Sequence, residues 1–361
     1  MTETLAQLST VFIYAAMGIY AAAFIAFALD LARRSARATA AEGAVVPSAV
    51  ARRAEVAASA RSAPATTTIT ADAPPGSPGP DARAGSSGLA RLSSRISTRI
   101  EDDVMYGAET STSLRWAFVL TIIGFGFHLV ATVLRGIAAD RVPWANMWEF
   151  SMTGTLVIIG VFLGCNLKWD LKYVGTFVLG LVLVLQGIAL LRYYVPVVPL
   201  QPALQSYWLV IHIIVAVLGT AFFALGFALS GLQLLQVRRE RQIAESRPQQ
   251  LPFLATLPSS NALENLAYRV NIVGFIAWTF TLIAGAIWAD KAWGRYWGWD
   301  TKEVWTFIIW VIYAGYIHAR ATRGWRGSRS AWLAIIGFAA VLFNFGIVNV
   351  FFHGLHAYSG L

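Results

Sequence analysis

The sequence predicts an all-α fold, a polytopic membrane bundle of about eight transmembrane helices. Three observations predict it. Of 361 residues, 57% are apolar, against about 45–50% in soluble domains, and the mean hydropathy is +0.58. Only 13% are charged. The apolar residues also gather into eight runs near the length of roughly 20 residues that a spanning helix needs: 11–32, 114–137, 150–167, 173–191, 207–237, 270–289, 304–321 and 331–352.

The basic residues between the runs give an orientation. Arg33, Arg34 and Arg37 follow the first run, and Arg115 opens the second. Lys168 and Lys172 separate the third from the fourth, and Arg238, Arg239 and Arg241 follow the fifth. Arg320, Arg323, Arg326 and Arg329 separate the seventh from the eighth. Every second connection is therefore basic, which puts those connections in the cytoplasm and both termini outside the plasma membrane. Connections 138–148, 192–206 and 293–305 then also lie outside, with the tail 353–361. The net charge of +9 reads as topology and not as a nucleic-acid surface.

Residues 1–37 hold the first span, which has no basic leader or cleavage site before it and reads as retained. Residues 38–110 are rich in Ala, Ser, Thr, Pro and Arg and read as a disordered cytoplasmic linker. Residues 111–361 form a seven-span core. Within it, Asn261 and Glu264 have the spacing of an N-cap and a capping-box acid, so a short helix is expected at 261–269 before the sixth span. Cys165 is the only cysteine. It sits in an apolar run, reads as a small core residue, and leaves no Cys-x-x-Cys for thiol redox chemistry.

The chemistry-bearing stretch is 293–305, which holds Trp293, Tyr296, Trp297, Trp299 and Trp305 at a membrane surface. Four of the chain's 14 tryptophans in so short a space suggest a flat aromatic platform for a large planar ligand. Asp300 and Glu303 have the form of a capping box that starts the seventh span. Asp300 reads first as that cap, although its carboxylate could also fix an indole. In the 138–148 connection, Trp144 and Trp148 read as interfacial anchors, while Glu149, just inside the membrane edge, is harder to explain that way.

Depth sorts the five histidines. His212 lies just under the outer surface, and His353 and His356 lie where the last span emerges on the same side. His318 is about 20 Å down the seventh span, near the cytoplasmic face, and His128 lies in the outer half of the second. A single histidine in a span often makes only a helix–helix hydrogen bond. His212 and His356 at the level of an aromatic platform instead suit a haem, which needs axial nitrogen ligands and apolar walls. His353 reads as interfacial or supporting. No span carries two histidines placed one near each face, which argues against a built-in electron path. There is no phosphate loop, nucleophile elbow or zinc spacing.

The segment Trp293-Gly294-x-Tyr296-Trp297-x-Trp299-Asp300-x-Lys302-Glu303-x-Trp305 resembles the WWD motif of proteins that handle haem during cytochrome c maturation. The stretches 264–269, 285–289 and 316–320, with Asn349 and 354–358, complete a likeness to the CcsA/ResC family of System II cytochrome c biogenesis, called CcsB in actinobacteria. The likeness covers about 114–360. The resemblance implies that haem b is the ligand or substrate, with His212 and His356 as outer axial ligands and His318 holding haem in transit. It also implies a ResB-like membrane partner, which would supply the second inner ligand, and thioether attachment of haem to the Cys-x-x-Cys-His segment of apocytochrome c. A haem transporter or chaperone without ligase activity is the alternative. Thr301 stands where the family often has Pro, and Ala357 where it often has Ser.

Overall fold

The computed structural model describes residues 2–61, 111–248, 250–322, 325–352 and 354–356. Among them every long element is an α-helix: α1 Thr2–Arg61, α2 Thr112–Ala139, α3 Met147–Cys165, α4 Gly175–Arg192, α5 Tyr207–Ala244, α6 Ser260–Trp293, α7 Thr301–Ala321 and α8 Ser328–Leu342. A π-helix, Phe343–Val348, continues α8 into a last helical turn, Asn349–Phe351. Seven helices are long and apolar enough to cross a membrane, so this is a multi-pass membrane protein. The exception is α7, where the sequence predicts a span at 304–321. Its apolar residues are diluted by tryptophans and tyrosines and by His318 and Arg320 in the last turn.

Side-chain caps set most helix starts. Ser111 Oγ accepts from Leu114 N at 3.0 Å, and Asn146 Oδ1 accepts from Glu149 N at 2.9 Å. Each satisfies one of the orphan donors of a first helical turn. One start differs from the sequence reading. The helix expected at 261–269 is continuous with the sixth span, and Ser259 caps it, its Oγ accepting from Ala262 N. Glu264 forms no capping box; it pairs with Arg320 of α7 at 2.8 Å and accepts from Ser330 Oγ. In addition, α1 runs on through the alanine-rich part of the expected linker to Arg61. Residues 62–110, His353 and 357–361 lie outside the described residues.

The helix α5 is central, packing along α6 and also meeting α3 and α8. A Cβ at Gly219 of α5 would stand 3.2 Å from Gly274 O and 3.3 Å from Trp278 N of α6, so glycine permits this close backbone approach. Phe223 of α5 stacks on Tyr313 of α7 with ring centroids 3.5 Å apart. Cys165 is free and buried. His128 is fully buried; its Nε2–H donates to Met152 O at 3.0 Å, which leaves Nδ1 to accept from Tyr20 Oη at 3.4 Å. This histidine therefore ties α1, α2 and α3 together.

Candidate functional site

The three connections expected on one face of the membrane do meet at one end of the bundle. Trp144, Leu204 and Tyr296, one from each, line a single cavity of about 450 Å³. Its walls come from the starts of α3, α5 and α7, the end of α6, the π-helix and the segment bearing His356. The volume is within the range of small-molecule and cofactor sites, and the lining is chiefly apolar and aromatic, as in such sites. His212 and His356 both line it.

Each imidazole is oriented by a hydrogen bond on its far nitrogen. His212 Nδ1 lies 2.9 Å from Thr281 O. A carbonyl only accepts, so Nδ1 carries the proton and donates, and the neutral ring keeps a free lone pair on Nε2. His356 Nδ1 donates to Asp300 Oδ2 at 2.7 Å, again leaving Nε2. The hydrogen bond with His356 holds the Asp300 carboxyl below its ordinary value. Acceptors of this kind fix the tautomer and ring angle of metal-binding histidines.

The surroundings lock both rings. Trp288 stacks on His212 at 5.8 Å and meets His356 edge-on at 5.5 Å; Trp293 meets His356 edge-on at 4.8 Å. A Cβ at Gly285 would come within 2.8 Å of the His212 ring. Only glycine lets the imidazole lie this close to α6. Likewise, a Cβ at Gly354 would run into the Asp300 carboxylate, whose Oδ1 accepts from Leu355 N at 3.2 Å. Asp300 is also the N-cap of α7 and forms the expected capping box with Glu303. It therefore joins the helix start to His356, a contact the sequence reading did not identify.

The aromatic stretch is not a flat platform. Tyr296 and Trp297 line the cavity, while Trp293 backs His356. Trp305 packs on Phe343 at 4.3 Å. Trp299 has φ +61 and is 74% exposed, because a left-handed turn directs the chain away at that residue. Trp288, Trp144 and Trp278 supply more of the aromatic wall. Glu149 lies beside the cavity and does not line it. It is fully buried, paired with Arg135 at 3.0 Å and Arg141 at 2.6 Å, and accepts from Ala145 N. These contacts hold the loop that carries Trp144 and Asn146. Arg135 and Arg141 also donate to the carbonyls of Val195 and Val198 in the next connection. Trp148 is buried and meets Tyr194 edge-on, so it is no interfacial anchor. His318 is exposed on α7, twelve residues and roughly 18 Å beyond Thr306 of the cavity wall.

Fold and site together define a multi-pass helical membrane protein with an aromatic cavity walled by two oriented imidazoles. The chain belongs to the cytochrome c assembly protein family, whose model matches residues 144–356. That segment runs from the first cavity-lining residue to the last. The chain is 31% identical over 279 residues to the cytochrome c biogenesis protein CcsA of Trieres chinensis, covering 68% of this chain and 89% of that one. The CcsA protein of Guillardia theta is 33% identical over 261 residues, covering 66% and 86%. That of Prochlorococcus marinus is 41% identical over 180 residues, covering 44% and 56%. Among solved structures, Cytochrome c Heme Lyase CcmF aligns at a TM-score of 0.48 with 18% identity, over 81% of this chain and 52% of that one. The expected family is therefore the one found, and the protein is a membrane component of cytochrome c biogenesis.

Proposed function

We propose that this protein holds haem b between His212 and His356 on the extracytoplasmic side of the plasma membrane and presents it to apocytochrome c. One observation carries the reading: two imidazoles in the wall of one cavity each have Nδ1 engaged by an acceptor, leaving both Nε2 atoms to bind iron. The cavity suits a tetrapyrrole in its aromatic walls and nitrogen donors.

The protein's own contribution is position. His212 is set by Thr281 and Gly285, and His356 by Asp300 and Trp293, so the haem plane is fixed relative to the mouth of the cavity. In the attachment reaction each thiol of Cys-x-x-Cys-His adds across a vinyl C=C. A C–S bond forms, the thiol hydrogen passes to the neighbouring carbon, and no group leaves. Holding the vinyl groups before the thiols lowers the entropic part of the barrier. The ligase is then a complex of this chain with a ResB-like membrane subunit. His318, exposed at the other end of α7, supplies one ligand to a haem in transit and the partner supplies the second.

The test is co-expression with a ResB-like protein and an apocytochrome. The wild type is expected to carry a bis-imidazole haem spectrum and to yield covalent cytochrome. His212→Ala and His356→Ala are expected to lose retained haem and product, with partial rescue by added imidazole. Normal maturation in both variants would refute the ligand assignment. A retained haem spectrum without covalent product under these conditions would identify a haem transporter or chaperone.

A further inference from the structure

The cavity wall has one polar corner that the two histidines do not account for. Lys302 Nζ donates to Asn344 O at 2.9 Å and to Asn349 Oδ1 at 2.7 Å. Both acceptors are neutral, and among the described residues no carboxylate oxygen lies within 4.0 Å of this nitrogen. An ammonium carries three donors, so one remains. The other charged wall residue besides the histidines, Glu303, is already engaged: it pairs with Arg295 at 3.2 Å and accepts from Gly298 N and Asp300 N. Lys302 is thus the wall's cation, with a donor to spare and with Asp300 acting on it only from beyond 4.0 Å.

Helix stability does not explain a lysine here. Lys302 is the second residue of α7, at the positive end of the helix dipole, where a cation is unfavourable. Enclosing the ammonium adds a desolvation cost, which Asp300 offsets only from beyond contact distance. A second donor joins it in the wall. Asn146 caps α3 with its Oδ1, while its Nδ2 is buried without a partner. Asn349, which accepts from Lys302, donates its Nδ2 to the sulfur of Met147, the residue after Asn146, at 3.3 Å. The corner is also where the chain forms its π-helix, an irregularity that recurs at functional sites.

We infer that Lys302, with Asn146 in the same cavity wall, is a carboxylate anchor that binds a propionate of the haem and so fixes which edge of the ring faces the cavity mouth. The inference rests on the haem reading above. It gives Lys302 an orienting role, distinct from iron ligation: the histidines fix the plane of the ring, and Lys302 fixes its rotation within that plane.

The test compares haem with haem dimethyl ester, in which both propionates are uncharged, on the full chain purified in detergent. Binding is followed by the Soret band. Wild type is expected to favour haem over the ester by about tenfold or more, as charge-assisted hydrogen bonds require. Lys302→Gln is expected to weaken haem by roughly tenfold to a hundredfold and to leave the ester unchanged, while Lys302→Arg keeps the preference. Equal wild-type affinities with the bis-imidazole spectrum intact would overturn the anchor alone. So would an equal loss of both ligands in Lys302→Gln, which would make the lysine a structural tie to the π-helix. No bis-imidazole spectrum with either ligand would overturn the histidine assignment and the anchor with it. The wild-type comparison decides the matter even if Lys302→Gln does not fold.

Discussion

Asp300→Asn separates the two tasks of one carboxylate. Asn caps helices about as well as Asp, so the start of α7 should hold. The change falls on His356, whose Nδ1–H loses a charged acceptor at 2.7 Å. Both side chains are mostly buried, 18% and 10% exposed, so solvent screens the pair only weakly. Hydrogen bonds to charged groups contribute about 1.5–3 kcal/mol and neutral ones about 0.5–1.5 kcal/mol. The expected loss is therefore about 1–2 kcal/mol, or roughly fivefold to thirtyfold in haem affinity. Asp300→Ala removes the cap as well, which costs a further ~0.5–2 kcal/mol of stability, and it should lower the Tm where Asp300→Asn does not. Haem titration followed at the Soret band, with thermal unfolding of the same samples, measures both quantities. If Asp300→Asn bound haem as the wild type does, Asp300 would be a helix cap and nothing more.

Gly285→Ala should displace His212, because the new methyl group would lie 2.8 Å from its ring; misplacement of about 1 Å can cost up to a hundredfold, and unchanged haem affinity would show that the ring has room. Trp297→Ala should weaken haem by about tenfold through lost aromatic contact, whereas Trp299→Ala should not, since Trp299 is exposed away from the cavity; equal effects would contradict the observed division of the two. Glu149→Gln leaves Arg135 and Arg141 buried without their carboxylate, at a cost of about 3–5 kcal/mol. Its expected signature is a lowered Tm with near-normal haem affinity in the folded fraction, and an unchanged Tm would show that these ion pairs do not hold the loop.

Much of the bundle was legible because a membrane forces long apolar runs, and a run such as 207–237 has few other uses. The capping box at Asp300 and Glu303 was legible because it is local in sequence. The parts that were missed depend on distant partners. Glu264 looks like a capping acid until Arg320 of α7 is seen beside it. Asp300 gave no sign that His356 would reach it. The four tryptophans of 293–305 look equivalent in sequence, but φ +61 at Trp299 sends them to different surroundings. The π-helix has no periodicity signal of its own, and Lys302 stands in the sequence only as one residue of the tryptophan-rich motif. A cation placed just inside a helix start, against the dipole, was the sign that could have drawn attention to it.

The hydrogen bond from Asn349 to Met147 joins residues 202 positions apart. Contacts that distant close late in folding, because much of the chain must be ordered before they contribute. The His212 side of the cavity needs only α5 and α6, two helices adjacent in sequence and packed along each other. The opposite side depends on the π-helix docking against the start of α3. The two imidazoles of one cavity therefore stand on walls of very different sequence separation, one local and one spanning most of the chain.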